Sequence, residues 1–114
     1  MPAFVLVHLR SPQLNEEVFT YMERVQSTLE PFGGRFRVHV PEVEVIEGDW
    51  PGTVVILEFP DRDAARAWYD SPAYQEILPL RTRNIGGALI IVDGVGPDYD
   101  PARTAAALRA RTAG

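Results

Sequence analysis

Short apolar runs alternate along the chain with segments whose apolar residues recur at helical spacing. Three apolar runs, rich in Val, Leu and Ile, predict strands by length and composition; they cover residues 3–9, 53–59 and 88–92. Residues 35–47 predict a further extended segment that is interrupted at Pro41 and followed by the turn "EGDWPG". A hairpin closed around this turn would place Glu42 opposite Glu58. The pattern therefore predicts four strands.

The first helix is expected between the first two strands. Apolar side chains recur every three or four positions across residues 14–32, which is the pattern of an amphipathic helix. Ser11 and Pro12 offer an N-cap and a proline at the first helical position, and Gly33-Gly34 favours an end to the helix.

A second helical region follows the third strand. Asp61 is placed to cap one short helix, and Ser71-Pro72 repeats the cap-then-proline pattern for another. Pro79 is expected to kink or end that segment. From Pro97 the chain is alanine-rich and is predicted to be a frayed helix or disordered. The chain thus divides into a domain over residues 1–94 and a C-terminal tail over residues 95–114.

The order strand, helix, strand, strand, helix, strand corresponds to two split βαβ units. It predicts an α+β, ferredoxin-like βαββαβ fold, in which a four-stranded antiparallel sheet carries both helices on one face. The other face must then meet solvent or a partner. Strand alternation assigns Val5, Val7, Leu9, Val55, Leu57 and Phe59 to the helix-facing side, and Phe4, Leu6, His8, Val54, Ile56 and Glu58 to the other.

Composition narrows the class of protein. The chain has 114 residues, of which 46% are hydrophobic and 24% charged, as is typical of one globular domain. Its net charge of −5 argues against a nucleic-acid-binding surface, which needs an excess of basic residues. No apolar run approaches the ~20 residues needed to span a membrane, and the first residues lack a basic leader. We therefore expect a cytoplasmic protein that binds neither nucleic acid nor membranes.

Two absences exclude whole classes of chemistry. Without Cys there is no thiolate nucleophile, disulfide or sulfur-ligated metal. All 11 basic residues are Arg, so chemistry that requires a lysine amine, such as Schiff-base formation or a P-loop, is excluded. No glycine-rich dinucleotide fingerprint begins a helix, and the two His lack the spacing of a metal site. We expect no metal, flavin, haem or nicotinamide cofactor.

Several motifs together resemble a known family. The stretches "FGGR", "EGDW", "EFP" and "AWYDSPAY", which begin at Phe32, Glu47, Glu58 and Ala67, are similar to the signature of the domain-of-unknown-function family 1330. This family belongs to the dimeric α/β-barrel superfamily, and the resemblance spans residues 4–94. It implies a homodimer whose two sheets face each other to form a barrel. It implies no reaction, although other members of the superfamily include cofactor-free oxygenases of aromatic polyketides, lyases, isomerases and haem-degrading enzymes.

Glu58 is the candidate general acid or base. It ends the strand "TVVILEF", where burial and the nearby charge of Glu42 would raise the pKa of its carboxyl. The alternatives are a solvated strand end or a structural ion pair with Arg35 or Arg81.

The histidines and two further residues carry weaker signals. His8 could shuttle protons, because an unperturbed imidazole has a pKa near ~6.5, or could simply be hydrogen-bonded in an interface. His39 lies on the strand expected at the sheet edge and should be exposed. Arg35 could clamp a substrate carboxylate through its planar fork, or could form an ion pair at the helix end. Trp50, at the hairpin tip, is expected to contact a partner subunit.

Four aromatic side chains are candidates for lining a pocket. Trp68 is expected to pack on the sheet as part of the core, whereas Tyr21, Tyr69 and Tyr74 each keep a hydroxyl that needs a partner. Apolar rings with a few polar tips form the usual small-molecule site, and they also form the boundary of a well-satisfied core. The family resemblance favours the pocket.

These residues support the hypothesis of a cofactor-independent enzyme that acts on a small aromatic or carboxylated metabolite by proton transfer, as an isomerase, cyclase or oxygenase. Glu58 or His8 would transfer the proton. Arg35 or Arg81 would hold an anion, and the three tyrosines with Trp68 would contact the substrate. The alternatives are a non-catalytic small-molecule-binding or assembly module, or a pocket that is merely the remainder of a dimer core.

Overall fold

Strands and helices follow one another along the chain in the expected order. The structure, a computed structural model, describes residues 1–10, 13–40 and 42–113. Its elements are β1 (Ala3–Arg10), α1 (Glu16–Leu29), β2 (Arg35–Val40), β3 (Thr53–Phe59), α2 (Arg62–Asp70), α3 (Pro72–Thr82), β4 (Gly86–Asp93) and α4 (Pro101–Ala113), with a 3-10 turn (Glu30–Phe32) after α1. The predicted cap at Ser11 and Pro12 lies outside the described residues.

The four strands form one antiparallel sheet in the order β2-β3-β1-β4. This is the predicted ferredoxin-like topology, in which the two strands of each βαβ unit are separated in the sheet by a strand of the other unit. In the pairing of β1 with β3, Phe4 lies opposite Glu58 and His8 lies opposite Val54. His8 and Glu58 are therefore at opposite ends of this pair of strands.

The core lies between the helices and one face of the sheet. The buried strand residues alternate along β1 and β3, as predicted, and include Val5, Val7, Val55, Leu57 and Phe59. The helices contribute Val18, Val25, Leu29, Ala65, Trp68, Tyr74 and Ile77. None of the helices in the described part of the chain packs on the other face in this way, and on β4 Ile90 is 52% exposed there. The domain thus has one closed face and one open face.

Side-chain caps fix the starts of the first three helices. Asn15, Asp61 and Ser71 each accept a hydrogen bond from the backbone N–H three residues further along the chain. Asp61 and Ser71 are the predicted caps. Gly33 follows the turn after α1 with a φ of 71°, the left-handed conformation that glycine adopts without a steric penalty.

The second strand differs from the prediction in length and register. β2 ends at Val40, residues 42–51 are exposed and form no strand, and Arg35, not Glu42, lies opposite Glu58. The electrostatics explain the difference. Two carboxylates directly opposite each other on adjacent strands repel, whereas an arginine opposite a glutamate attracts. A β-bulge between Phe36 and Val38 accompanies this register.

The helix at Pro79 also corrects an expectation. α3 continues through Pro79 to Thr82, because the following turn still closes: the backbone N–H of Arg83 donates to the carbonyl of Pro79 at 3.0 Å. Beyond β4 the tail forms α4, a helix in which no residue is buried. None of the helices in the described part of the chain is long and apolar enough to cross a membrane.

Candidate functional site

A cavity of about 640 Å³ lies between the sheet and the helices α1 and α3. Most of its lining is apolar, with side chains of α1, β1, β2 and β3 forming the walls. The polar groups that line it include the hydroxyls of Tyr21 and Tyr74 and the guanidinium of Arg81. Three residues predicted as substrate contacts therefore meet in one place.

Aromatic rings that pack against one another at tilted angles form one wall of this cavity. The ring of Trp68 lies 4.2 Å from that of Tyr74 and 5.4 Å from that of Phe59, measured between centroids. Trp68 is fully buried, as expected for a core residue, and its indole N–H donates a 3.0 Å hydrogen bond to the hydroxyl of Thr28. This bond satisfies the one polar group of the indole, so the wall is held in a fixed orientation.

The phenolic groups of Tyr21 and Tyr74 lie together although the residues are far apart in the chain. Their oxygens are 2.8 Å apart, a hydrogen bond in which either hydroxyl can be the donor. Burial, followed by the proximity of Tyr74, raises the pKa of Tyr21 above its usual range. Tyr21 therefore stays protonated at neutral pH and can donate a hydrogen bond.

Arg81 lines the cavity as a largely buried cation, and within the described residues its charge has no carboxylate partner. The residue is 8% exposed, its Nε has no hydrogen-bond partner among the described residues, and it forms no salt bridge with any of them. Its guanidinium carbon lies 5.9 Å from the centre of the Tyr21 ring. Burial lowers the pKa of Arg81, but the oxygens of Tyr74 and Tyr21 raise it by more, so the side chain is charged.

The spacing of α3 explains how these groups converge. Tyr74, Ile77 and Arg81 follow the Ser71 cap at intervals of three and four residues, so they share one helix face, and all three are buried. Tyr21 comes from α1, which packs alongside α3 and brings its hydroxyl to that of Tyr74.

A second cavity, of about 660 Å³, lies between α2, α3 and β4 and reaches Arg81 from the other side. Tyr69 lines this second cavity and not the first, although its ring is 5.7 Å from that of Tyr74. The other arginines here are already paired, Arg62 with Asp93 at 3.5 Å and Arg66 with Asp70 at 2.9 Å. They are less available to a ligand than Arg81.

Glu58 lies on the open face of the sheet and lines neither cavity. Its carboxylate is 3.1 Å from Nε of Arg37 and 3.7 Å from a terminal nitrogen of Arg35, and its side chain is 22% exposed. The structural ion pair, which was the alternative role considered for Glu58, is therefore present. One of its partners is Arg35, itself a candidate to bind a substrate carboxylate. Arg37 was not predicted as a partner of Glu58, although strand alternation places it on the same face as Arg35, two residues earlier.

His8 lies at the other end of the open face. Its ring is 4.8 Å from that of Trp50, which is 47% exposed, and its Nε2 is buried without a hydrogen-bond partner among the described residues. His39 is exposed on the edge strand, as expected. It also lines the cavity between the sheet, α1 and α3, beside Phe36, with the two rings 5.2 Å apart. The bulge explains this placement, since Phe36 and His39 both lie opposite helix-facing residues of β3.

Metal ligands are not grouped in this molecule as far as it is described. Within residues 1–10, 13–40 and 42–113 no three His, Asp or Glu side chains are arranged to hold an ion.

The fold and this cavity define a ferredoxin-like α+β domain with a pocket under its helices. The chain belongs to the family described as Domain of unknown function (DUF1330), which matches residues 2–95. No curated protein matches the chain.

Solved structures support the same fold. A protein of unknown function from Rhodopseudomonas palustris is 20% identical, with a TM-score of 0.65 and 84% of each chain covered. SnoaB, a cofactor-independent oxygenase from Streptomyces nogalater, is 15% identical, with a TM-score of 0.57 over 87% of this chain and 97% of its own. A dimeric ferredoxin-like protein of unknown function from Jannaschia sp. CCS1 is 18% identical, with a TM-score of 0.55 over 84% of this chain and all of its own (100%). At these identities the likeness concerns the fold.

Proposed function

We propose that this protein binds a small, largely apolar metabolite with one carboxylate in the cavity between α1, α3 and the sheet. The observation that carries the proposal is Arg81, a buried guanidinium without a described carboxylate partner. Removing a charged group from water is unfavourable unless another charge or several hydrogen bonds compensate. A bound carboxylate would provide that compensation, because its two oxygens match the planar fork of a guanidinium.

The remainder of the cavity favours an aromatic body for the ligand. Phe36, Trp68 and Tyr74 present rings to it, and its volume of about 640 Å³ lies within the range of ordinary small-molecule sites. Flat apolar rings gain from offset or edge-on packing against other rings in addition to the burial of their surface. An aromatic acid with its carboxylate at Arg81 combines both features.

A second candidate function is cofactor-independent proton transfer on such a ligand. The hydrogen-bonded hydroxyls of Tyr21 and Tyr74 beside Arg81 favour it, because they can donate to an oxyanion that forms when a proton leaves an adjacent carbon. The structural likeness to a cofactor-independent oxygenase is consistent with it. The reaction would be of the isomerase, cyclase or oxygenase type. Glu58 and His8, the acid–base groups expected from the sequence, line neither cavity. We assign the tyrosines as donors to the oxyanion, and the imidazole of His39, which lines the same cavity, as the group that accepts the proton from carbon.

Binding is tested with benzoate and phenylacetate as probes, measured by calorimetry against their uncharged amides. The acids should bind at least about tenfold more tightly than the amides, since a lost charge-assisted hydrogen bond is worth about 1.5–3 kcal/mol. Arg81→Met should abolish the preference for the acids, so that the acids bind as weakly as the amides. Arg24→Met is the matched control, because Arg24 is exposed and lies in neither cavity. Equal affinity of wild type and Arg81→Met for the acids would refute the proposal.

Catalysis is tested separately from binding. With an aromatic acid that bears an acidic carbon, proton exchange with deuterated water can be followed by NMR. Tyr21→Phe should slow the exchange by about 10²–10³-fold with binding preserved, because it removes one donor to the developing charge. Unchanged exchange in Tyr21→Phe and Tyr74→Phe, or none in wild type, would leave a binding module, the non-catalytic alternative.

A further inference from the structure

Two surfaces of opposite charge lie uncovered in the single subunit. The C-terminal arm is α4, whose charged side chains are Arg103, Arg109 and Arg111 and in which no residue is buried. The acidic segment is residues 42–49, all exposed, with Glu42, Glu44, Glu47 and Asp49. The arm begins beyond residue 95, where the match to the family ends. It is thus an addition to the shared domain, and its role has to be read from this chain.

We propose that the C-terminal arm of one subunit docks on the acidic segment of a second copy of this chain. Within a single subunit the two surfaces leave the sheet at diagonally opposite corners. The arm follows β4, whose last residue Asp93 lies opposite Ala3. The acidic segment follows Val40, which lies opposite Val54 at the other end of the strands, and β2 and β4 are the two edges of the sheet.

A second copy removes this separation. When two sheets pack through their open faces around a two-fold axis parallel to the strands, the β4 edge of one lies beside the β2 edge of the other. The arm then has to run along the strand direction. Its helix of 13 residues is about 20 Å long, and the 6 residues of the edge strand β2 also span about 20 Å, so the helix matches the length of the edge.

The chemistry of the two surfaces is complementary. The arm carries three guanidinium groups, of which Arg103 and Arg111 lie toward one side of the helix, and the acidic segment carries four carboxylates. Apolar side chains accompany both sets: Leu108 on the arm is 50% exposed, and Ile46 on the acidic segment is 80% exposed. A single exposed ion pair contributes little, so the stabilisation must come from several pairs formed twice in a symmetric dimer. Such an interaction weakens as added salt screens the charges.

Charge reversal in trans tests the proposal with the full-length protein. One variant carries Arg103→Glu, Arg109→Glu and Arg111→Glu, and the other carries Glu42→Arg, Glu44→Arg and Glu47→Arg. Each alone should dimerise more weakly than wild type, because arm and segment then repel. Mixed together they should form a heterodimer about tenfold more stable than either homodimer, since both contacts are restored across the subunits. Native mass spectrometry of the mixture measures the three species.

A matched control separates docking from simple attraction of net charges. The arm variant is mixed with a chain that carries Glu23→Arg, Glu30→Arg and Glu76→Arg, which are exposed positions on the helical side. This mixture has the same net charges but should form heterodimers no more tightly than the average of the two homodimers. Equal enrichment in both mixtures, statistical mixing in both, or a wild-type chain that stays monomeric would each overturn the proposal.

Discussion

The charged groups on the two faces of the sheet differ in whether they have a partner of opposite charge. On the helix side, Arg81 is buried and makes no salt bridge with any described residue. On the open face, Glu58 lies between Arg35 and Arg37 within ion-pair distance. A charge that the chain itself neutralises gains little from a ligand, whereas a buried charge without a partner gains most. This contrast supports the proposal that a ligand binds on the closed face, and it is consistent with contact between subunits on the open face.

The two tryptophans give the largest test of this contrast. Trp68→Ala on the closed face should lower the free energy of unfolding by about 3–5 kcal/mol, because it removes a buried ring and opens a hole in the core. Trp50→Ala is the control. It should lower the free energy of unfolding by less than about 1 kcal/mol, because that ring is half exposed and packs against the ring of His8 on the open face. Urea unfolding measures both. Similar losses would mean that the open face is as tightly packed as the core.

Assembly gives the second test, on the open face. The apolar residues Phe4, Leu6, Val54, Ile56 and Ile90 form a surface that we expect a second subunit to cover. Ile90→Glu should weaken the dimer at least about 100-fold, because it would bury a charge in that contact, yet it should leave the subunit folded since Ile90 is 52% exposed. Ala67→Glu adds the same charge on the helical side and should dimerise normally. Analytical ultracentrifugation distinguishes the two, and a wild-type monomer at micromolar concentration would refute this mode of assembly.

Variants of Glu58 should have a smaller effect on stability, and one possible outcome would contradict the contrast between the two faces. Glu58→Gln should reduce stability by no more than about 1 kcal/mol, because its partners are half exposed, and should leave binding of aromatic acids unchanged. Arg37→Gln should produce a similar loss, and the double variant should show that the two losses are not additive. If Glu58→Gln instead abolished proton exchange with the fold and the dimer intact, the acid–base role expected from the sequence would hold.

Much of the fold could be predicted because its signals are local. Asp61 and Ser71 cap their helices as residue types with short polar side chains commonly do, and the alternation of β3 separates its buried from its exposed side chains. The predicted hairpin register, with Glu42 opposite Glu58, was wrong for a physical reason. Residues 42–47 alternate acidic and apolar side chains like a strand, but the predicted register would have opposed Glu42 to Glu58.

The site was harder to predict because it depends on contacts between distant parts of the chain. Tyr21 and Tyr74 are 53 residues apart in sequence, and their hydrogen bond follows only from the packing of α1 on α3. Arg81 has no described carboxylate partner because of where acidic residues from distant parts of the chain lie. No local sequence pattern predicts those positions. His39 was assigned to the edge correctly, yet its place in the cavity lining depends on a bulge that no turn signal in the sequence announces.

The smallest expected effect concerns the join between α1 and α3, on the closed face but at its surface. Arg83 and Asn84 both donate hydrogen bonds to the carboxylate of Glu17, and these bonds, the one from Arg83 foremost, lower its pKa below the ordinary value of 4.5. A lowered pKa in the folded state means that the ionised carboxylate stabilises the fold above pH 4.5 and that this contribution disappears as the pH falls through the folded-state value. Wild type should therefore be slightly more stable than Glu17→Gln at pH 7, and the difference should shrink as the pH is lowered below 4.5. Glu16→Gln, one position earlier and without a described salt bridge, should show no such convergence in urea unfolding at pH 7, 5, 4 and 3. A constant gap between wild type and Glu17→Gln across that series would mean that the Glu17 bonds act through geometry and not through charge.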